Sequence, residues 1–259
     1  MAEIATIADR LDDAALRARA IPQITGSEAS LTLADAYAIQ REAIDRRLAR
    51  GERLVGVKMG FTSEAKMIQM GLKDQIWGRL TSAMQVIAGG TINRSRFIHP
   101  RVEPEIAVLL KAPLTGDVTA GQAWSAVGGV APALEIIDSR YENFKFALPD
   151  VVADNASSSA FVVGAWLPPE TGIGDVPMVM SVDGEIAETG SSAAILGDPV
   201  RSLVAAARLA GAAGLTLEAG WIVMLGGATA AAAIGTAREV SLAAGSLGEV
   251  GFTIAGDPS

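Results

Sequence analysis

Cysteine is absent from the 259 residues, histidine occurs once, and Phe, Trp and Tyr together make up only 5% of the chain. The first absence excludes disulfides, thiolate metal ligands and a cysteine nucleophile. A single histidine, His99, cannot form a histidine metal cluster, and a Ser-His-acid triad would rest on it alone. Its place before Pro100, at a strand entrance, reads as structural. Basic residues are outnumbered, 21 Lys and Arg against 29 Asp and Glu for a net charge of -8. Nucleic acid is therefore not the expected partner, because phosphate binding needs clustered Lys and Arg. The glycine pairs match neither a dinucleotide fingerprint nor a phosphate loop, and no zincin motif is present. The most apolar long segment, Leu203 to Leu217, is broken by Arg208 and too short to span a bilayer. The N-terminal "MAEIATIADRLDDAALRARA" carries charges where a signal peptide needs an uninterrupted apolar stretch. These readings lead to an expectation of a cytoplasmic protein with no membrane partner.

What is present is aliphatic: half the residues are hydrophobic, and the core is expected to be Ala, Val, Ile and Leu. Residues 2–20 and 33–50 carry apolar residues at helical spacing, the second stretch with a cap at Thr32 and Gly51 past its end. After Arg53 the texture changes. "RLVGVKMGF" reads as a strand, "SEAKMIQM" as a short helix beginning near Ser63, and "MQVIAGGTI" as a strand with a Gly-Gly turn. "GQAWSAVGGV" reads as a short helix, and Asp183-Gly184 as the type I′ turn of a hairpin. A later helix starts at Asp198-Pro199 and runs to about Ala213, before "GWIVMLGG", "REVSLAAG" and "EVGFTIAG" close the sheet. The expected organisation is α+β: a helical N-terminal unit over residues 1–52 and a β-rich body over 53–259.

Three glutamates interrupt apolar strand-like runs: Glu103 and Glu105 in "HPRVEPEIAVLL", and Glu135 in "APALEIIDSR". Alternation puts Glu103 and Glu105 on one face, about 6.6 Å apart along the strand, and that face continues through Ala107 and Leu109. Carboxylates are rarely buried without partners, and three together repel. A divalent cation held by hard oxygen ligands resolves this. The bland alternative is an edge strand, which Pro104 permits, with Glu135 in a buried ion pair with an arginine. Lys58 in "VGVKMGFTS" is read either as a snorkelling edge lysine or as a cation beside an oxyanion. "VVADNASSS" is explained largely by turn chemistry, although its length lets its polar groups face a cavity.

Taken together and in order, "VGVKMGFTSEAKMIQMG", "HPRVEPEIAVLLKAPL", "APALEIIDSRYENFKF", "VVADNASSS" and "AAILGDP" resemble the 2-oxopent-4-enoate hydratase and 2-oxo-3-hexenedioate decarboxylase family. That family lies within the wider fumarylacetoacetate hydrolase fold, and the likeness runs from about residue 5 to the C-terminus. It implies a mixed β-sheet roll or barrel-like body with Mg²⁺ or Mn²⁺ bound by Glu103, Glu105 and Glu135. It also implies Lys58 in the active site, Ser157 holding a small 2-oxo acid, a homo-oligomer, and a possible complex with a 2-oxopent-4-enoate hydratase.

Within the family one position separates the activities. Hydratases typically carry Pro-Asp-aromatic-Gly shortly after the Lys58 segment, with the aspartate placed as acid/base for water addition. Here the stretch is "DQIWG", so Ile76 stands in its place and Asp74 is two residues off. The resemblance thus favours metal-dependent decarboxylation of 2-oxohex-3-enedioate to 2-hydroxypenta-2,4-dienoate, with Ile76 and Trp77 as an apolar wall and Arg79 orienting the departing carboxylate. The rival readings are the hydratase, an acylpyruvate C–C hydrolase and a non-catalytic partner subunit. Three departures stand out: Gly197-Asp198-Pro199 for Gly-His-Pro, "IGTAREV" at the late turn, and Phe61 where leucine is expected.

Overall fold

In the computed structural model, which describes residues 2–26, 31–63, 67 and 74–256, two helices come first: α1 (Ala2–Leu16) and α2 (Leu33–Ala49). A reciprocal cap starts α2, since the Thr32 hydroxyl accepts from the Asp35 N–H and the Asp35 carboxylate accepts from the Thr32 N–H. Gly51 (φ 96°) follows its end. The helices bury Ile7, Leu11 and Ile39 in a cluster that also takes Ile76, Tyr141 and Val152. The helical pair thus shares a core with the β-rich body.

The strands are β1 (Leu54–Gly60), β2 (Ile76–Thr81), β3 (Gln85–Val86), β4 (Thr91–Asn93), β5 (Arg101–Leu110), β6 (Val127–Ile137), β7 (Ser158–Val163), β8 (Pro177–Val182), β9 (Glu185–Ser191), β10 (Ile222–Met224), β11 (Ala232–Ala233), β12 (Glu239–Ala243) and β13 (Glu249–Ala255). Helices α3 (Ala120–Ser125), α4 (Leu148–Ala153) and α5 (Pro199–Ala212) lie between them. One mixed sheet runs β2-β1-β10-β5-β6-β7-β3, with β11 also paired to β5. A five-stranded sheet, β4-β13-β12-β8-β9, packs on it. Val130, Leu134 and Val162 of the first sheet and Val240, Leu242 and Phe252 of the second belong to the main core. The other face of the first sheet is lined by small and apolar residues, among them Ala107, Ala131, Ala133 and Met224.

Most expected elements form. Asp183 (φ 50°) and Gly184 (φ 81°) join β8 to β9, and the Asp198 carboxylate caps α5 through the Val200 N–H. "GQAWSAVGGV" is a correction: the helix stops at Ser125 and Val127 already begins β6. α4 is a second difference, because six residues are too few to signal a helix by periodicity. It is held instead by the Asp150 carboxylate, which accepts from the Ala147 N–H and from Thr25. The expected helix near Ser63 falls mainly on residues outside those described.

Candidate metal centre and active site

β5 and β6 pair antiparallel over their whole length, in a register that sets Glu103 directly opposite Glu135. Residues opposite one another share a face, so Glu105, two residues on, joins them. One carboxylate oxygen from each of the three lies within 4.8 Å of the others. The edge-strand reading of this segment is thereby overturned. β5 lies inside the sheet, with β10 beside its C-terminal half and β11 beside its start. Pro104 sits between those partners, where its carbonyl accepts from the Ala228 N–H at 2.9 Å. The missing proline N–H therefore costs the ladder nothing, because it falls in the gap between β10 and β11.

Lys58 arrives from β1, in register with Met224 of β10, which is in register with Ala107 of β5. Its ammonium lies 2.9 Å from Glu135 Oε2 and donates to the Ala156 carbonyl at 3.1 Å. Lys58, Glu105 and Glu135 are buried, and Glu103 is half-buried. Ser158 Oγ donates to Glu135 Oε1 at 2.7 Å, and the Gly226 N–H donates to Glu105 Oε2 at 2.8 Å. Glu105 Oε1 is buried with no hydrogen-bond partner. Burial, then the neighbouring Glu135, push the Glu105 carboxyl well above the usual range. Burial works against the Lys58 ammonium, but Glu135, Glu105 and Glu103 outweigh it and hold its pKa above that of ordinary lysine.

Among the described contacts, one lysine faces three clustered carboxylates. The donor set is hard oxygen, converging, with one oxygen unpartnered, and it fits a divalent cation. The acidic triad can therefore bind a divalent metal ion.

Beside the triad lies a cavity of about 120 Å³. Lys58, Glu103, Thr62 and Ser157 supply polar lining, and Phe61, Ile76, Phe144, Phe146 and Val151 supply apolar walls. Among the described residues that line it, only Lys58 and Glu103 carry an ionisable side chain of Asp, Glu, His, Lys or Arg type. Ser157 Oγ is buried without a hydrogen-bond partner. Ile76 is part of the wall, but Trp77 and Arg79 are not. β2 alternates, so Ile76 faces the cavity while Trp77 stacks on Tyr37 of α2, ring centroids 5.7 Å apart. The Arg79 guanidinium lies over the Trp77 ring and donates to Gln40, and its burial pushes its pKa down to about 10. The expectation that Trp77 walls the substrate and Arg79 orients a carboxylate is corrected by that pleat. Asp74 pairs with Arg208 at 2.7 Å and does not line the cavity.

Several residues of the site carry no obvious sequence signal. Gly226 (φ 108°) brings its N–H to Glu105, and a Cβ there would lie 2.2 Å from Thr62 Oγ1. Gly227 gives the Glu103 carboxylate room, with a Cβ position 3.1 Å from its carbon. A strand followed by Gly-Gly was the only hint. Gly226→Ala combines left-handed strain with a clash, and is expected to destabilise the fold by about 3 kcal/mol or more, measured by urea unfolding.

Comparison with known proteins places these features. A family model described as fumarylacetoacetate (FAA) hydrolase C-terminal matches residues 56–257. The chain belongs to the fumarylacetoacetate hydrolase family. Within it, the chain is 56% identical over 255 residues to a 4-oxalocrotonate decarboxylase of a Pseudomonas species, covering 98% of this chain and 99% of that one. A 2-hydroxypent-2,4-dienoate hydratase of Pseudomonas putida is 36% identical, covering 75% of this chain and 89% of its own. The structure of 4-oxalocrotonate decarboxylase from Pseudomonas putida G7, complexed with magnesium and adipate, superposes with a TM-score of 0.94 at 39% identity, covering 98% and 97% of the two chains. The architecture is thus the mixed α+β fold of this family, a curled sheet with an N-terminal helical pair.

Proposed function

We propose that the protein is a carboxy-lyase that converts 2-oxohex-3-enedioate (4-oxalocrotonate) to 2-hydroxypenta-2,4-dienoate and CO₂, within the breakdown of aromatic ring-cleavage products. Full-length identity of 56% to a 4-oxalocrotonate decarboxylase supports the substrate. The observation that carries the reaction type is that Ile76 lines the cavity, at the position where the resemblance to the hydratases leads one to expect an acid/base aspartate.

Glu103, Glu105 and Glu135 are proposed to hold Mg²⁺ or Mn²⁺. Magnesium and adipate, a six-carbon dicarboxylate, in the Pseudomonas putida G7 structure support that choice. When bound, the cation supplies Lewis acidity toward the 2-oxo acid end of the substrate. Breaking the C5–C6 bond releases CO₂ and sends its electron pair through C4 and C3 to the 2-oxo oxygen, giving a dienolate that one proton converts to the hydroxydienoate. An ammonium has three N–H donors. Lys58 donates one to the Ala156 carbonyl and pairs its charge with Glu135, which leaves an N–H for the developing oxyanion in a pocket with apolar walls. Ser157 supplies a hydroxyl without a competing protein partner. Phe61, Ile76 and Phe146 offer the departing carboxylate no hydrogen bonds, a wall suited to forming neutral CO₂.

A cytoplasmic location belongs to the same proposal; among the described residues, no helix is long and apolar enough to cross a membrane. So do the division at residues 52 and 53, homo-oligomerisation, and association with a hydratase that consumes the dienoate before it tautomerises. The wild-type protein with Mg²⁺ is expected to release CO₂ from 2-oxohex-3-enedioate. Hydration of the dienoate without CO₂ release from the enedioate would make it a hydratase. Ile76→Asp sets a carboxylate against the carboxylate that must leave, and is expected to lower the decarboxylation kcat/KM by about a hundredfold, seen in the same assay.

A further inference from the structure

Asn155, Ala156 and Ser157 all adopt left-handed backbone, with φ of 51°, 52° and 59°. A run of three such residues without glycine is sterically penalised and persists only where surrounding contacts impose it. The strained turn presents two groups to the site: the Ala156 carbonyl that accepts from Lys58, and the buried Ser157 hydroxyl on the cavity wall.

Two side chains outside the cavity impose this geometry. Asn155 pairs both ways with the backbone of β2, accepting from the Arg79 N–H at 2.8 Å and donating to the Arg79 carbonyl at 2.9 Å. The pairing needs Gly78, because a Cβ there would sit 2.6 Å from the Asn155 carbonyl oxygen. Arg140 grips the other end. Its N–H donates to Asp154 Oδ2 at 2.9 Å, its Nε to Asp154 Oδ1, and its Nη2 to the Asp154 carbonyl at 2.6 Å. Arg140 and Asp154 are both buried. The open side of Arg140 faces a separate cleft between the helical pair and the β-body, not the substrate cavity.

We propose that Asn155 and Arg140 are positioning residues for the reaction. They touch no substrate, and they force the turn at 154–157 into the shape that keeps Lys58 and Ser157 aimed at the cavity. The inference rests on the decarboxylase reading for its activity arm only.

The test uses the Mg²⁺-loaded enzyme and 2-oxohex-3-enedioate. Asn155→Ala is expected to lower kcat by about tenfold to a hundredfold, the effect of misplacing a reacting group by about 1 Å. Mg²⁺ affinity, measured by calorimetry, should stay within about threefold, since the triad lies on β5 and β6. Acetylation of Lys58 by acetic anhydride, mapped by mass spectrometry on the substrate-free enzyme, should quicken by about fivefold or more as the turn opens. Asn155→Asp keeps the acceptor for the Arg79 N–H and should fall between wild type and Asn155→Ala. If Asn155→Ala does not fold, Asn155→Asp and Arg140→Lys are read by the same standards. A folded variant with wild-type kcat and wild-type Lys58 acetylation overturns the proposal. So does a loss of activity that only tracks lost Mg²⁺ affinity, with Lys58 still protected. If wild type releases no CO₂ the functional reading fails, and the acetylation arm still decides the clamp.

Discussion

Glu105→Gln is expected to lower kcat/KM for 2-oxohex-3-enedioate by about a thousandfold or more, roughly 4 kcal/mol of transition-state stabilisation. The substitution is nearly isosteric, and its amide oxygen can still accept from the Gly226 N–H that now bonds Glu105 Oε2. What is lost is one of three charges that converge within 4.8 Å. The same change should make the metal-free protein more stable, because Glu105 is fully buried beside Glu135 and its second oxygen has no hydrogen-bond partner. Activity and metal-free stability therefore move in opposite directions. Saturating Mg²⁺ should raise the melting temperature of wild type by about 5–10 °C, as expected at a hundredfold excess over Kd for a chain of this size, and should hardly move the variant.

The pH dependence has a definite sign. Burial and Glu135 raise the Glu105 carboxyl in the folded protein, so in chelator the folded state keeps a proton that the unfolded chain has released. That contribution is fully present below the ordinary glutamate value and is lost as pH rises through the folded one. Chelated wild type should lose stability over that span relative to chelated Glu105→Gln. Differential scanning calorimetry at a series of pH values reads the difference.

The second large effect belongs to Lys58. Lys58→Met is expected to lower kcat by about a thousandfold, the scale seen when a preorganised oxyanion donor is removed. It should also cost the metal-free protein about 3–5 kcal/mol, because Glu135 loses its buried counter-charge 2.9 Å away. The metal response then separates Lys58 from the triad. Mg²⁺ should still bind Lys58→Met and stabilise it more than it stabilises wild type, because the cation takes over charge compensation that the ammonium supplied. Glu105→Gln should lose that response. A Lys58→Met variant that is folded, binds Mg²⁺ and turns over at the wild-type rate would remove Lys58 from the reaction.

Much of this site could be read from the chain because strands alternate. Glu103 and Glu105 had to share a face, and an apolar setting made their charge a problem needing a cation. The pairing that sets Glu103 opposite Glu135 was not readable, since register between strands about 30 residues apart depends on the whole sheet. Alternation also sets Ile76 apart from Trp77 and Arg79, which face α2, so reading that stretch as one wall missed its own pleat. The left-handed turn at Asn155–Ser157 was hidden for another reason. Alanine disfavours positive φ, and it is held there by Asn155, Arg140 and the space left at Gly78. Gly226 was visible as a residue, yet nothing local to the sequence says that its N–H points at Glu105.

The most direct test supplies the chelated protein with 2-oxohex-3-enedioate labelled with ¹³C at C6, follows the label by NMR, then adds Mg²⁺. No turnover before the metal, and after it label appearing as CO₂ and bicarbonate in step with unlabelled 2-hydroxypenta-2,4-dienoate, is the predicted result. Label retained in a six-carbon product, or release at the same rate with chelator still in excess, would contradict decarboxylation at the glutamate-held metal.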